Sequence, residues 1–282
     1  MLPHTPGPRS PVIAKYERRV SNANSLLCVG LDCAFERIPE GFRAHANPQF
    51  EFNRFIIEAT HAYVAAYKPN MAFYEARGAQ GLHELGMTLD YLRAQHPDIV
   101  TISDAKRGDN QTTNRGYASA IFDHFGFDAV TLQPYMGRAA LEPFLTRADK
   151  GCIILCRTSN PGGAELQELT VYDAEHASGK PLWRVVAERV RDDWNDLGNC
   201  MLVVGANLPA ILKEVRALVG DMPILAPGLG DQGADVELAT RAGIDARRGG
   251  LFLSASRSVI FSAEPAREAR TLRDAINRGR ES

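Results

Sequence analysis

Long apolar runs are missing from this sequence. No stretch approaches the ~20 residues that a membrane-spanning helix needs, so a transmembrane protein is excluded from consideration. The first eleven residues are rich in proline and have no apolar core, so they read as a loose tail and not as a secretory signal. An excess of charge of either sign is also missing. The formal net charge is −2, and the basic residues are scattered along the chain instead of forming an arm, which argues against a nucleic-acid or anionic-membrane partner. Cysteine is scarce and odd in number. Cys28, Cys33, Cys152, Cys156 and Cys200 lie in apolar runs, as buried reduced thiols of a cytoplasmic protein would. Cys152 and Cys156 are four apart, but no nearby Cys or His completes a metal ligand set. With 45% hydrophobic and 23% charged residues over 282, the chain has ample material for one large core, and no break in composition marks a second domain.

What is present is a regular alternation. An amphipathic helix over residues 12–24 precedes short apolar runs at 25–31, 64–68, 99–102, 128–132, 151–156, 200–204, 223–226 and 250–253. Helical periodicity fills the intervals at 49–63, 74–95, 111–125, 137–147, 181–197, 209–219, 233–242 and 265–277. Only residues 157–179 look irregular and polar. Strands that are apolar on both faces and alternate with amphipathic helices indicate a parallel sheet covered by helices. Eight such units in ~250 residues fit a closed (β/α)8 TIM barrel, of class α/β. An open doubly wound sheet is the alternative, but the glycine fingerprint G-x-G-x-x-G is absent after the first strand. The expectation is a 1–11 tail and a single 12–282 barrel domain with an N-terminal capping helix.

In such barrels the functional groups collect at the C-terminal strand ends. The densest of these ends is Asp104-Ala-Lys106-Arg-Gly108-Asp109, where two carboxylates bracket an ammonium. Period-two alternation puts Asp104 and Lys106 on one face. Gly108 permits a sharp turn that aims Asp109 elsewhere. A solvated charge cluster where a strand meets a loop is the plain alternative. Other strand ends carry Asp32, Lys68 with Asn70, Gln133, Thr158-Ser159-Asn160 and Asn207. Each has a dull reading as a cap or a snorkelling side chain, and their joint placement on one rim argues for a shared site. The seventh and eighth strands end in Pro227-Gly228-Leu-Gly-Asp-Gln232-Gly233 and Ser256-Arg257. A glycine-rich loop that enters a helix, beside an arginine on the neighbouring strand, is suited to phosphate.

The run Asp104-Ala-Lys-Arg-Gly-Asp109 resembles the signature of the orotidine 5′-monophosphate decarboxylase family, in its longer bacterial type. Leu31-Asp32, Tyr67-Lys68-Pro-Asn70, Thr158-Ser-Asn-Pro-Gly-Gly163 and the Pro227–Gly233 loop resemble it too. The resemblance runs from about residue 12 to 276. It implies conversion of orotidine 5′-monophosphate to uridine 5′-monophosphate without metal or cofactor, by a homodimer with shared active sites. Lys106 would protonate C6 of the pyrimidine, and Asp104 would hold that lysine beside the departing carboxylate. Asp109, with Thr113, would serve the neighbouring subunit. Lys68 and Asp32 match the groups that hold the ribose hydroxyls and complete the charged array, Lys68 as a fourth catalytic residue, and Ser159 matches the one that bonds the ring amide. Gln232 and Arg257 match the phosphate grip, with Gln232 on a closing loop, and Pro227, Gly228 and Ser256 are further substrate-binding candidates at the same strand ends. The chain departs from shorter relatives at Asn110, where an apolar residue often lines the carboxylate pocket, and at Ser254-Ala-Ser-Arg257 in place of Gly-Arg.

The chemistry fits these residues. Loss of CO2 leaves an sp2 carbanion with no conjugated sink, so fixed charge must lower the barrier. Two readings compete: an Mg2+-dependent sugar-phosphate aldolase or decarboxylase on the same barrel, and a non-catalytic barrel that binds nucleotide phosphate. Lys68 on strand two would repel the metal of the first, and the intact charged array speaks against the second.

Overall fold

Parallel strands with β-branched and leucine side chains on both faces lose their exposed edges when the sheet closes on itself, and they do so here. The computed structural model describes residues 9–173, 176–229 and 235–281. The barrel strands are β1 (Leu27–Gly30), β2 (Ala66–Lys68), β3 (Val100–Arg107), β4 (Ala129–Leu132) and β5 (Gly151–Arg157), then β8 (Cys200–Val204), β9 (Ile224–Leu229) and β10 (Leu251–Ala255). They are hydrogen-bonded in that circular order, all parallel, with β10 closing onto β1. Outside the barrel, β6 (Thr170–Asp173) and β7 (His176–Pro181) pair as an antiparallel ribbon.

The N-terminal helix Pro11–Ala23 covers the N-terminal mouth, as its apolar spacing predicts. Val12, Ile13 and Tyr16 are buried, and the Tyr16 hydroxyl donates to the Leu251 carbonyl at 2.8 Å while accepting from the Leu251 N–H at 2.9 Å. The surrounding helices bury one face each, such as Phe52, Ile56 and Ile57 of Pro48–Thr60 and Leu85, Leu89 and Leu92 of Gly78–Gln95. Each such side chain contributes about 1.5–3 kcal/mol by leaving water.

Local departures from the sequence expectations have physical causes. The single helix expected at 74–95 is broken into Ala72–Glu75 and Gly78–Gln95, because Gly78 takes a left-handed φ of 59° between them. The stretch expected to be irregular at 157–179 contains a short helix, Ala164–Gln167, and most of the β6–β7 ribbon. The last helix runs on to Glu281. Of the tail expected at 1–11, residues 1–8 lie outside the described residues, and Pro11 already belongs to the first helix. Among the described residues, no helix is long and apolar enough to cross a membrane.

Candidate active site

The C-terminal end of β3 is irregular, and this irregularity builds the site. Its register against β4 shifts between Ser103 and Arg107, and Lys106 sits at φ 46°. A left-handed lysine is strained, so the surroundings must impose it. Part of that restraint comes from Thr131 on β4. Its hydroxyl accepts from the Lys106 N–H at 3.0 Å and lies 3.1 Å from Asp104 Oδ1. Asp104 and Lys106 therefore meet as expected, but across a bulge rather than along a regular strand.

From there a chain of alternating charge runs inward. Lys106 Nζ donates to Asp104 Oδ1 at 2.6 Å, and Lys68 Nζ donates to Asp104 Oδ2 at 2.8 Å. Lys68 Nζ is also 4.0 Å from Asp32 Oδ1. The Lys68 side chain is only 6% exposed and that of Lys106 46%, so the inner three groups form a fixed base and Lys106 is the accessible end. Burial alone would push the Asp104 carboxyl up. The Lys68 ammonium, and then that of Lys106, outweigh burial and hold it well below the usual carboxylate range. Burial alone would likewise lower Lys68, but Asp104 and then Asp32 hold it above the ordinary lysine range. Asp32 Oδ1 is buried and, among the described residues, has no hydrogen-bond donor. Such an orphaned acceptor is costly and suits a hydroxyl-bearing ligand.

Of these four groups, Lys68, Asp104 and Lys106 line a cavity of about 520 Å³. Lys68, Asp104, Lys106 and Thr131 form one wall, Thr158, Ser159 and Asn160 another, and Leu155, Val203 and Leu225 contribute apolar surface. Ser159 is held from behind, where Asn207 Nδ2 donates to its carbonyl at 3.2 Å. Gly205 permits that approach, since a Cβ there would lie 2.9 Å from Ser159 Cα. The loop is clamped as well. The Thr158 N–H donates to Gln167 Oε1 at 2.9 Å, and buried Arg157 binds Glu168 through Nε at 2.9 Å.

The expected phosphate residues occupy adjoining strand ends. Pro227 also borders the cavity, and Gly228 follows at φ 111°, where the β9–β10 register skips it. Ser256 Oγ donates to the Gly30 carbonyl at 3.2 Å, and exposed Arg257 opens the helix Arg257–Ile260. Gln232 lies outside the described residues, together with 230–234.

Asp109 and Thr113 are not brought to Lys106 within this chain. The chain turns at Gly108, where a Cβ would come within 2.7 Å of the Gln133 carbonyl oxygen. The Asp109 backbone is gripped by buried Asn114, through bonds of 3.0 and 2.6 Å. Its carboxylate accepts from the Asn110 N–H at 2.6 Å and, among the described residues, forms no ion pair with Lys106. Asn110 caps the helix Gln111–Ala118 by accepting from the Thr113 N–H at 3.1 Å, and it does not border the cavity. Thr131 was missed by sequence reasoning. Its signal was there, as one hydroxyl inside the apolar strand Ala129–Leu132.

The profile of the "Orotidine 5'-phosphate decarboxylase / HUMPS family" matches residues 25–272. Among relatives, the orotidine 5′-phosphate decarboxylase of Cellvibrio japonicus is 46% identical over 246 residues, covering 86% of this chain and 87% of its own. That of Thermomicrobium roseum is 45% identical over 269 residues, covering 95% and 93%. The solved structure of Leishmania donovani OMP decarboxylase is similar with a TM-score of 0.85 at 37% identity, covering 96% of this chain and 99% of that one.

Proposed function

Since the chain belongs to the orotidine 5′-phosphate decarboxylase / HUMPS family and decarboxylates orotidine 5′-monophosphate in pyrimidine biosynthesis, we propose that Lys106 is its proton donor. The observation that carries this reading is the charge chain Asp32–Lys68–Asp104–Lys106, with only its last member substantially exposed. The bond from C6 to the carboxylate breaks, CO2 leaves, and the electron pair stays on C6. An Nζ proton of Lys106 then forms the new C6–H bond. A preorganised ammonium interacts more strongly with the carbanion than with the neutral ring carbon, so it lowers the barrier and does not merely tighten binding. Asp104 positions the ammonium, and Lys68 keeps Asp104 ionised.

In the same reading Asp32 and Lys68 receive the ribose hydroxyls, and the orphaned Asp32 Oδ1 supports this. Ser159 faces the ring amide, and Pro227, Gly228, Ser256 and Arg257 receive the phosphate, with Gln232 closing over it. Asp109 and Thr113 serve the site of a second subunit in a homodimer, a reading supported by the Asp109 carboxylate accepting from the Asn110 N–H and, among the described residues, forming no ion pair with its own Lys106. The five buried, unpaired cysteines support a cytoplasmic location.

The direct test is loss of orotidine 5′-monophosphate absorbance in EDTA. Undiminished turnover is expected, since Lys68 fills the place at the end of β2 where a cation would be held, and its charge opposes one. Turnover that stops with chelation and returns with Mg2+ would favour the metal-dependent reading instead.

The phosphate assignment has its own test. Arg257→Ala is expected to weaken binding of uridine 5′-monophosphate by about 1.5–3 kcal/mol, the worth of a charged hydrogen bond. Uridine binding should change little. Equal losses for both ligands, measured by calorimetry, would make Arg257 a structural residue.

A further inference from the structure

A second group of chemistry-bearing side chains lies at the opposite, N-terminal rim of the barrel. Glu58 is on the helix Pro48–Thr60, and His61 follows it at once in the 3-10 turn His61–Tyr63, just ahead of β2. His96 follows the helix Gly78–Gln95, just ahead of β3. His96 Nε2 is 3.2 Å from Glu58 Oε1, and the two imidazoles stack with centroids 4.4 Å apart. One ligand atom from each of the three residues lies within 4.8 Å of the other two. The Tyr91 hydroxyl donates to the same Glu58 oxygen at 2.7 Å and so orients the carboxylate.

We propose that Glu58, His61 and His96 bind a late first-row divalent cation, foremost Zn2+, with water completing the shell. Bonds of about 2.0–2.2 Å set tetrahedral ligand atoms about 3.3–3.5 Å apart. The Glu58–His96 pair already has that spacing, and rotation of the His61 side chain supplies the rest. Two imidazoles and one carboxylate favour zinc, nickel or copper over magnesium or calcium. Tyr91 is the outer partner that such carboxylate ligands usually have. The nearby Arg19 guanidinium is neutralised by Asp98 at 2.8 Å. Because the three ligands come from two helix ends, the ion would fasten the segments that lead into β2 and β3, and so raise stability by binding only the folded state.

The full chain, freed of metal with EDTA and dialysed, is titrated with ZnCl2 by calorimetry and then with CoCl2 by visible absorption. One equivalent of Zn2+ per chain, a rise in Tm and the d–d bands of tetrahedral Co2+ are expected. His61→Ala and His96→Ala should each weaken binding at least tenfold. The double variant should bind no Zn2+ and still turn over orotidine 5′-monophosphate at the parent rate. Glu58→Gln, which keeps both rings and the shape of the helix end, should weaken Zn2+ about tenfold and guards against a double variant that fails to fold. The proposal is overturned if the parent shows no saturable binding below about 1 mM Zn2+, or if Glu58→Gln or the double variant binds as the parent does.

Discussion

Lys106→Ala is expected to lose at least about 10³-fold in kcat, because general-acid and electrostatic contributions are each worth about 10²–10⁴ and this one ammonium supplies both. The loss should fall on kcat and kcat/KM alike, the mark of an interaction made chiefly in the transition state. Folding should survive. The side chain is nearly half exposed, so its pair with Asp104 is screened, and Asp104 keeps its bond to Lys68 at 2.8 Å. Lys106→Gly separates strain from chemistry. The backbone there has φ 46°, which glycine adopts freely, so this variant should be at least as stable as Lys106→Ala by urea denaturation and equally inactive. A variant that keeps a tenth of the parent kcat would remove Lys106 as the proton donor. A variant that is inactive because it is unfolded would show itself in the denaturation curve.

The second large effect is a recovery. Asp109→Ala should be nearly inactive as a homodimer, as should Lys106→Ala. The motive is geometric, since Gly108 turns the chain against Gln133 and the Asp109 carboxylate turns to Asn110 rather than to its own Lys106. If Asp109 acts across a dimer, mixing the two variants under conditions of subunit exchange creates hybrids. Each hybrid has one site with an intact Lys106 and an intact Asp109 from the partner, and one site with neither. Random exchange makes about half of the dimers hybrid, so about a quarter of the parent activity should return. If Asp109 serves its own chain, every site in the mixture lacks one residue or the other. An inactive mixture in which native mass spectrometry shows exchanged subunits would rule out the shared site.

Much of the molecule was legible from residues alone. Hydrophobic period predicts eight strand–helix units and a capping helix, because burial on both strand faces and on one helix face leaves a pattern in the chain. The order of polar residues at the strand ends predicts the rim, and eight strands closing in parallel bring Asp32, Lys68, Asp104 and Lys106 together. Tertiary structure decided the remainder. The break at Gly78 and the left-handed Lys106 depend on what packs around them, and period carries no trace of that. The role of Thr131 depends on which strand lies beside β3, and a lone hydroxyl in an apolar run cannot announce its partner. The β6–β7 ribbon lies outside the barrel, and its residues carry no apolar alternation from which the pairing could be read. Asn110 shows the same division. Its identity marks a departure from shorter relatives, and the fold makes it the cap of the helix Gln111–Ala118, where its side chain accepts from the Thr113 N–H at 3.1 Å.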